Sequence, residues 1–234
     1  KDEKVDVLFH AGCRFSYEPE LRDTIRGILR ILLEAGVDVG IAGREESCCG
    51  GKVYENGYQG DGRTFAEDMI RRVIASGATT LVTACSDCYA TFVYLYARMG
   101  YEMPVKVLHI SQFLEDLVRQ GEIRFRKEIP MRVTYHDPCY LGRHNGIYEA
   151  PRRLLQSIPG LTLIEMASNR ANRRATAGIV GAGSETVRPR ATRPIGTTRA
   201  TTNKIRTRIG ATRCIARDVS RATFTLPMRR DDAL

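Results

Sequence analysis

Seven cysteines occur, at positions 13, 48, 49, 85, 88, 139 and 214, and their spacing is the first feature able to do chemistry. Thirty-four residues separate Cys13 from Cys48, and thirty-five separate Cys49 from Cys85. Cys48 and Cys49 are adjacent and followed by Gly50, and Cys85-Ser86-Asp87-Cys88 is a C-x-x-C pair. A lone cysteine behaves as a small buried hydrophobe, and Cys214 reads that way or as part of a disordered stretch. The first five fall instead in polar turns. The opening Lys1-Asp2-Glu3-Lys4 is charged and runs straight into an apolar strand, so no secretion signal is visible. The expected compartment is therefore cytoplasmic and reducing, without disulfides. A C-x-x-C where a strand turns into a helix sets both sulfurs near free amides and the positive helix end, which favours thiolates. Soft thiolates select zinc, copper(I) or iron–sulfur centres. Five are one more than a tetrahedral zinc or an ordinary four-cysteine cluster takes. Adjacent side chains such as Cys48 and Cys49 also tend to diverge, which suits an extended multi-iron centre better than one ion.

Alternating strand and helix signals must position these residues. Strands are predicted at 5–9, 37–41, 80–84, 105–110, 131–136 and 161–165. Helices are predicted at 19–35, 61–76, 111–120 and 151–157, with another running from the C-x-x-C to about Met99. Glycines 36 and 77 stand as stops after the first two helices. This order implies an α/β fold with right-handed crossovers and a mostly parallel sheet. Ligands collect at the carboxyl ends of such strands. Cys13, Cys85 and Cys139 each follow a predicted strand there. His10, His136 and His144 flank the same turns and are candidates for ligation or proton donation, against the commoner role of hydrogen bonding to backbone. Asp137 is expected to cap the next turn and Asp87 the following helix. Phe92, Leu95, Tyr96 and Met99 share a helical face and are expected in the core.

The cysteine pattern resembles the CCG (cysteine-rich) domain of heterodisulfide reductase subunits and related iron–sulfur oxidoreductases, including the lactate- and glycolate-oxidase iron–sulfur subunits. Tyr135-His136-Asp137-Pro138-Cys139-Tyr140-Leu141-Gly142-Arg143, with Asn145 to Tyr148 and Ile158-Pro159-Gly160, is similar to the opening of that family's second repeat. The resemblance covers about residues 4–172. It implies that Cys13, Cys48, Cys49, Cys85 and Cys88 hold a 4Fe–4S cluster of the unusual non-cubane kind. It implies electron transfer with iron–sulfur or flavin partners, in a disulfide or 2-hydroxy-acid reaction. A structural zinc scaffold within an oxidoreductase complex is the alternative. Cys139 would be a ligand in a complete second site. The cysteine pair such a site needs is missing: Ala175 to Gly178 stand where it should fall. Cys139 is therefore read as an orphan thiol. The implied domains are 4–126, a first CCG unit, and 127–172, the beginning of a second.

Composition changes at the same place. The net charge is +9, yet residues 1–167 hold 21 basic and 23 acidic side chains, while residues 168–234 hold 15 and 4. Fourteen arginines and eleven threonines, with a single aromatic, Phe224, make residues 168–234 a poor core-former, and residues 173–234 are read as an Arg/Thr-rich tail. A shifted reading frame or an acquired basic extension would each produce such a tail. Its Gly178 to Gly183 run lacks the flanking strand and helix of a phosphate loop. Without aromatic interleaving, only non-specific, salt-sensitive attraction to nucleic acid is expected. No apolar run approaches the roughly 20 residues of a membrane span, so the expected location is cytoplasmic or peripheral to a membrane-associated complex. The start at Lys1 reads as an internal fragment of a longer chain.

Overall fold

The computed structural model describes residues 4–166, 169 and 170. The readings made of residues 171–234, including the glycine run and Cys214, lie outside the described residues.

Four short apolar strands form a parallel sheet. They are β1 (Val7–His10), β2 (Val39–Ile41), β3 (Thr80–Thr83) and β4 (Lys106–His109), in the order β2-β1-β3-β4. β1 and β3 lie at the centre, so both of their faces are covered. Side chains alternate along β1: Val7 and Phe9 enter one core, and Leu8 enters the other. The first core lies under α2 (Arg22–Glu34) and α7 (Ile110–Gln120), which contribute Leu29, Leu32 and Leu117. The second lies under α4 (Gln59–Ser76), with Ala66, Met69 and Val73, and under the long helical stretch that follows β3. That stretch begins as α5 (Ser86–Ala90), widens into a π turn over Thr91–Leu95 and ends as α6 (Tyr96–Met99). Phe92, Leu95, Tyr96 and Met99 are all buried there, as their spacing implies. Burying an aromatic or aliphatic side chain of this kind contributes about 2 kcal/mol, so the two faces account for the packing of the unit.

Two short helices were not legible as periodic patterns: α1 (Cys13–Tyr17) and α3 (Gly51–Glu55). Each is five residues long, too brief to show an apolar repeat, and each starts at the edge where the strands end.

A second, two-stranded parallel sheet joins β5 (Met131–Val133) to β6 (Leu161–Leu163) around α8 (Glu149–Gln156). β5 is shorter than the predicted 131–136, because Asp137 and its neighbours turn away to meet Arg152. The Arg152 side chain is only 3% exposed and bonds both Asp137 oxygens, at 2.6 and 3.0 Å, and both Glu165 oxygens, at 2.6 and 3.0 Å. Asp137 also accepts from the Arg170 amide at 2.8 Å. It anchors the segment through this ion cluster and does not cap the next turn. The segment rests on the first unit through Arg153–Glu115 at 2.9 Å and Tyr140–Glu55 at 3.0 Å.

Candidate metal centre

Three chain crossings bring the cysteines to the carboxyl edge of the sheet. Central β1 leads through Gly12 to Cys13, β2 leads into the loop with Cys48 and Cys49, and central β3 leads to Cys85. Between β1 and β3 the chain order reverses direction across the sheet, which is where parallel α/β folds open a crevice. Cys85 occupies the position just before α5, and Cys88 lies one turn in, 2% exposed. The Cys85 amide donates to Thr83 Oγ1 at 3.2 Å, which pins the turn. Asp87 sits within the first turn of α5 and makes no side-chain capping bond; Cys85, not Asp87, holds the capping position.

Gly50 explains why a glycine follows the cysteine pair. Its φ is +76°, and a Cβ there would stand 2.7 Å from Phe65 Cβ and 3.0 Å from the Gly62 carbonyl oxygen of α4. Only a glycine lets the chain turn into α3 while Cys49 drops into the core. The Cys49 carbonyl is then held by the buried Tyr96 hydroxyl, which donates at 2.9 Å.

Four thiols are coupled pairwise in succession, Cys48 with Cys49, Cys49 with Cys88 and Cys88 with Cys85. Their proton affinities separate along this series. Cys49 is held well below the ordinary thiol range by hydrogen bonds from the Cys48 and Cys88 thiols, and the Gly51 amide assists. Cys48 is pushed up because its proton bonds Cys49 and burial opposes its charge, and Cys88 is pushed up by its bonds to Cys49 and Cys85. Cys85 is lowered to about 7 by its bond from Cys88, with the amides of Cys88 and Asp87 adding to this. Cys13 stands exposed at the rim, near enough for its charge to be felt at Cys48. Among the described residues, no group of three or more His, Cys, Asp or Glu side chains is placed as the ligands of one metal ion are.

His10 and Glu46 belong to this place as well. His10 is 1% exposed, its ring edge-on to Phe92 at 5.2 Å. Neither ring nitrogen has a hydrogen-bond partner, in contrast to the backbone-bonding role expected of such a histidine. Glu46 accepts the Ala11 and Gly12 amides at 3.1 and 2.8 Å and ties the β2 loop to the β1 turn. Sequence reading missed Glu46, since a single glutamate in a polar loop carries no pattern. Lys52, also missed, bridges Glu55 and the Tyr140 hydroxyl at 2.9 and 2.8 Å. Cys139 is exposed on its own turn, and no contact joins its sulfur to the four coupled thiols. His144 stacks on Tyr140 at 4.9 Å, and His136 is exposed.

The CCG cysteine-rich domain family matches residues 7–93 and 133–184, more than half of the sequence, and the chain belongs to this family. It is 36% identical over 169 residues to a dihydromethanophenazine:CoB–CoM heterodisulfide reductase subunit of Methanosarcina mazei, covering 70% of this chain and 41% of that one. It is 38% identical over 162 residues to a fumarate reductase (CoM/CoB) subunit of Methanothermobacter marburgensis, covering 68% and 31%. A Bacillus subtilis protein described as "Probable iron-sulfur-binding oxidoreductase FadF" is 30% identical over 168 residues, covering 72% and 24%. The chain thus spans about two fifths of the heterodisulfide reductase subunits it matches. No solved structure matches it.

Proposed function

We propose that this chain is part of an iron–sulfur oxidoreductase subunit of the heterodisulfide reductase type. In this reading Cys13, Cys48, Cys49, Cys85 and Cys88 hold a 4Fe–4S cluster of the non-cubane kind. Residues 4–126 are its working unit, and 127–172 begin a second. Partner subunits or domains carrying iron–sulfur or flavin groups exchange electrons with it, in the service of disulfide reduction, at this module or through a partner, or of 2-hydroxy-acid oxidation. The observation that carries the reading is the series of four coupled thiols beside a rim cysteine, at the crevice edge of a parallel sheet, with a thiolate already favoured at Cys49. The relatives named for iron–sulfur binding and heterodisulfide reduction support the same assignment. No helix among the described residues is long and apolar enough to cross a membrane, and we place the chain in the cytoplasm, bound through its partners.

When bound, the cluster supplies one-electron redox chemistry. The chain's own residues do the rest. Cys49 and Cys85 need to release few protons at neutral pH to become ligands. Phe92 and Tyr96 wall the inner side against water, and Tyr96 holds the Cys49 backbone in place. The exposed rim at Cys13 leaves the opposite side open to a redox partner.

Anaerobic reconstitution with iron and sulfide, followed by iron, sulfide and zinc analysis and EPR, tests the reading. Iron and sulfide in multi-iron ratio with a paramagnetic signal are expected. About one zinc per chain, as a tetrahedral structural site takes, without iron or a signal would make this a structural zinc scaffold instead.

A further inference from the structure

His10 is the buried group that the five-cysteine reading leaves unused. It lies on the face of β1 that carries Leu8, beneath the start of the helix bearing the C-x-x-C. Buried imidazoles normally satisfy at least one ring nitrogen, because an unbonded buried polar atom costs free energy. Both nitrogens here lack a partner, even counting sulfur as an acceptor at up to 4.0 Å. The two edges of the ring face different things. Nδ1 is 3.7 Å from Glu46 Oε1, whose carboxylate is fixed by the Ala11 and Gly12 amides. Nε2 lies on the side of Gly12 and the C-x-x-C turn: a Cβ built on Gly12 would stand 3.7 Å from Nε2, 3.7 Å from Cys85 Cβ and 3.1 Å from Cys88 Sγ. Gly12 has φ +84°, and a Cβ there would be crowded by Cys88 Sγ, so a glycine is what lets this turn pass so close to both the imidazole and the C-x-x-C.

A carboxylate beside Nδ1 favours the tautomer with its proton there, which leaves the lone pair on Nε2, the nitrogen near Gly12 and the C-x-x-C turn. That arrangement, carboxylate behind and lone pair in front, is how proteins orient a metal-binding histidine. We infer that His10 is a nitrogen ligand, through Nε2, to the metal group held by the cysteines, with Glu46 as the residue that positions its ring. The inference rests on the iron–sulfur reading of the five cysteines. It adds a sixth donor, a neutral nitrogen where the other five are thiolates. His136 provides an internal contrast, since it stands at the same spacing from Cys139 but is exposed and has no series of coupled thiols before it.

The test is pulsed EPR on the anaerobically reconstituted chain, grown with ordinary and with nitrogen-15-labelled histidine. A strongly coupled nitrogen that changes on labelling is expected in the wild type. It should be lost in His10→Gln with iron content retained, and it should persist in His136→Gln. Glu46→Gln should keep the coupling but alter its strength, since that residue acts only through the ring. Iron-loaded wild type without a strongly coupled nitrogen would overturn the assignment, as would a coupling that survives His10→Gln. If His10→Gln fails to load iron, persistence of the coupling in His109→Gln, His136→Gln and His144→Gln assigns it to His10, the remaining one of four histidines. Its loss in one of those three reassigns it. A wild-type chain that takes up no iron overturns the five-cysteine reading as well, so the two failures are distinguishable.

Discussion

Phe9-His10-Ala11-Gly12-Cys13 and Tyr135-His136-Asp137-Pro138-Cys139 follow the same script: an aromatic residue, a histidine, two linking residues and a cysteine at the end of a parallel strand. Their surroundings diverge. β1 is flanked on both sides, by β2 and β3, so its turn is walled by two further loops that each bring cysteines. β5 pairs with β6 alone, and its turn is steadied by an ion cluster at Asp137 and a surface contact at Tyr140. His10 is consequently buried and Cys49 and Cys88 are packed into a core, while His136 and Cys139 stand in solvent. A cysteine in this fold becomes a candidate ligand through the neighbours its strand acquires. The local motif is insufficient.

Substitutions can break or sharpen that contrast. The largest effect is expected from Cys49→Ser or Cys88→Ser, either of which should abolish iron uptake; Cys139→Ser should leave it unchanged. Iron analysis after reconstitution checks both, and equal loss from all three would remove the distinction between the turns. Next comes Arg152→Met, which strands Asp137 and Glu165 and should cost about 3 kcal/mol, as breaking a buried ion pair does. Hydrogen exchange should then speed up across β5, β6 and α8 while β1 and β3 keep their protection. Uniform loss would mean that the two segments unfold as one.

Smaller is Tyr96→Phe, which leaves the buried Cys49 carbonyl without its donor and should lower stability by about 1–2 kcal/mol in denaturant melts. The mildest perturbation is pH. Cys85, lowered to about 7, binds its proton below that pH and is a thiolate above it. In the metal-free chain its alkylation by iodoacetamide, followed by mass spectrometry, should rise half-maximally near pH 7. An unfolded control should rise only toward the ordinary thiol value of 9.0. Cys48 should lag behind Cys85 because its proton is held by Cys49. Coincident profiles would show that the series of thiol bonds does not order the titration.

Much of this was legible before any coordinates. The apolar runs at 80–84 and 105–110 and the periodic stretches at 61–76 and 111–120 appear as β3, β4, α4 and α7 with shifts of a residue or two at their ends. Long amphipathic elements announce themselves because burial needs a repeated apolar face. The stripe from Phe92 to Met99 was core for the same reason. The π turn within it carries no period that would betray it, and neither α1 nor α3 is long enough to show one. Asp137 does not act as a cap, because its partner Arg152 comes from elsewhere in the chain, and Asp87 falls inside the first turn of α5 because the helix already starts at Ser86, directly after Cys85.

By itself the sequence determined the alternation of strands and helices, the parallel sheet that alternation requires, and a set of cysteine positions at strand ends whose chemistry is that of soft-metal thiolates. Those features are local, written in spacing and residue type. Only the tertiary structure decided which thiols are coupled, which one carries the favoured thiolate and what stands behind them. Strand order put the β1, β2 and β3 turns side by side, and desolvation and hydrogen bonding then divided the four sulfurs into two with lowered and two with raised proton affinity. The same packing buried His10 between Phe92 and Glu46. Burial and proximity are properties of neighbours brought from far along the chain, so no local stretch could have specified them.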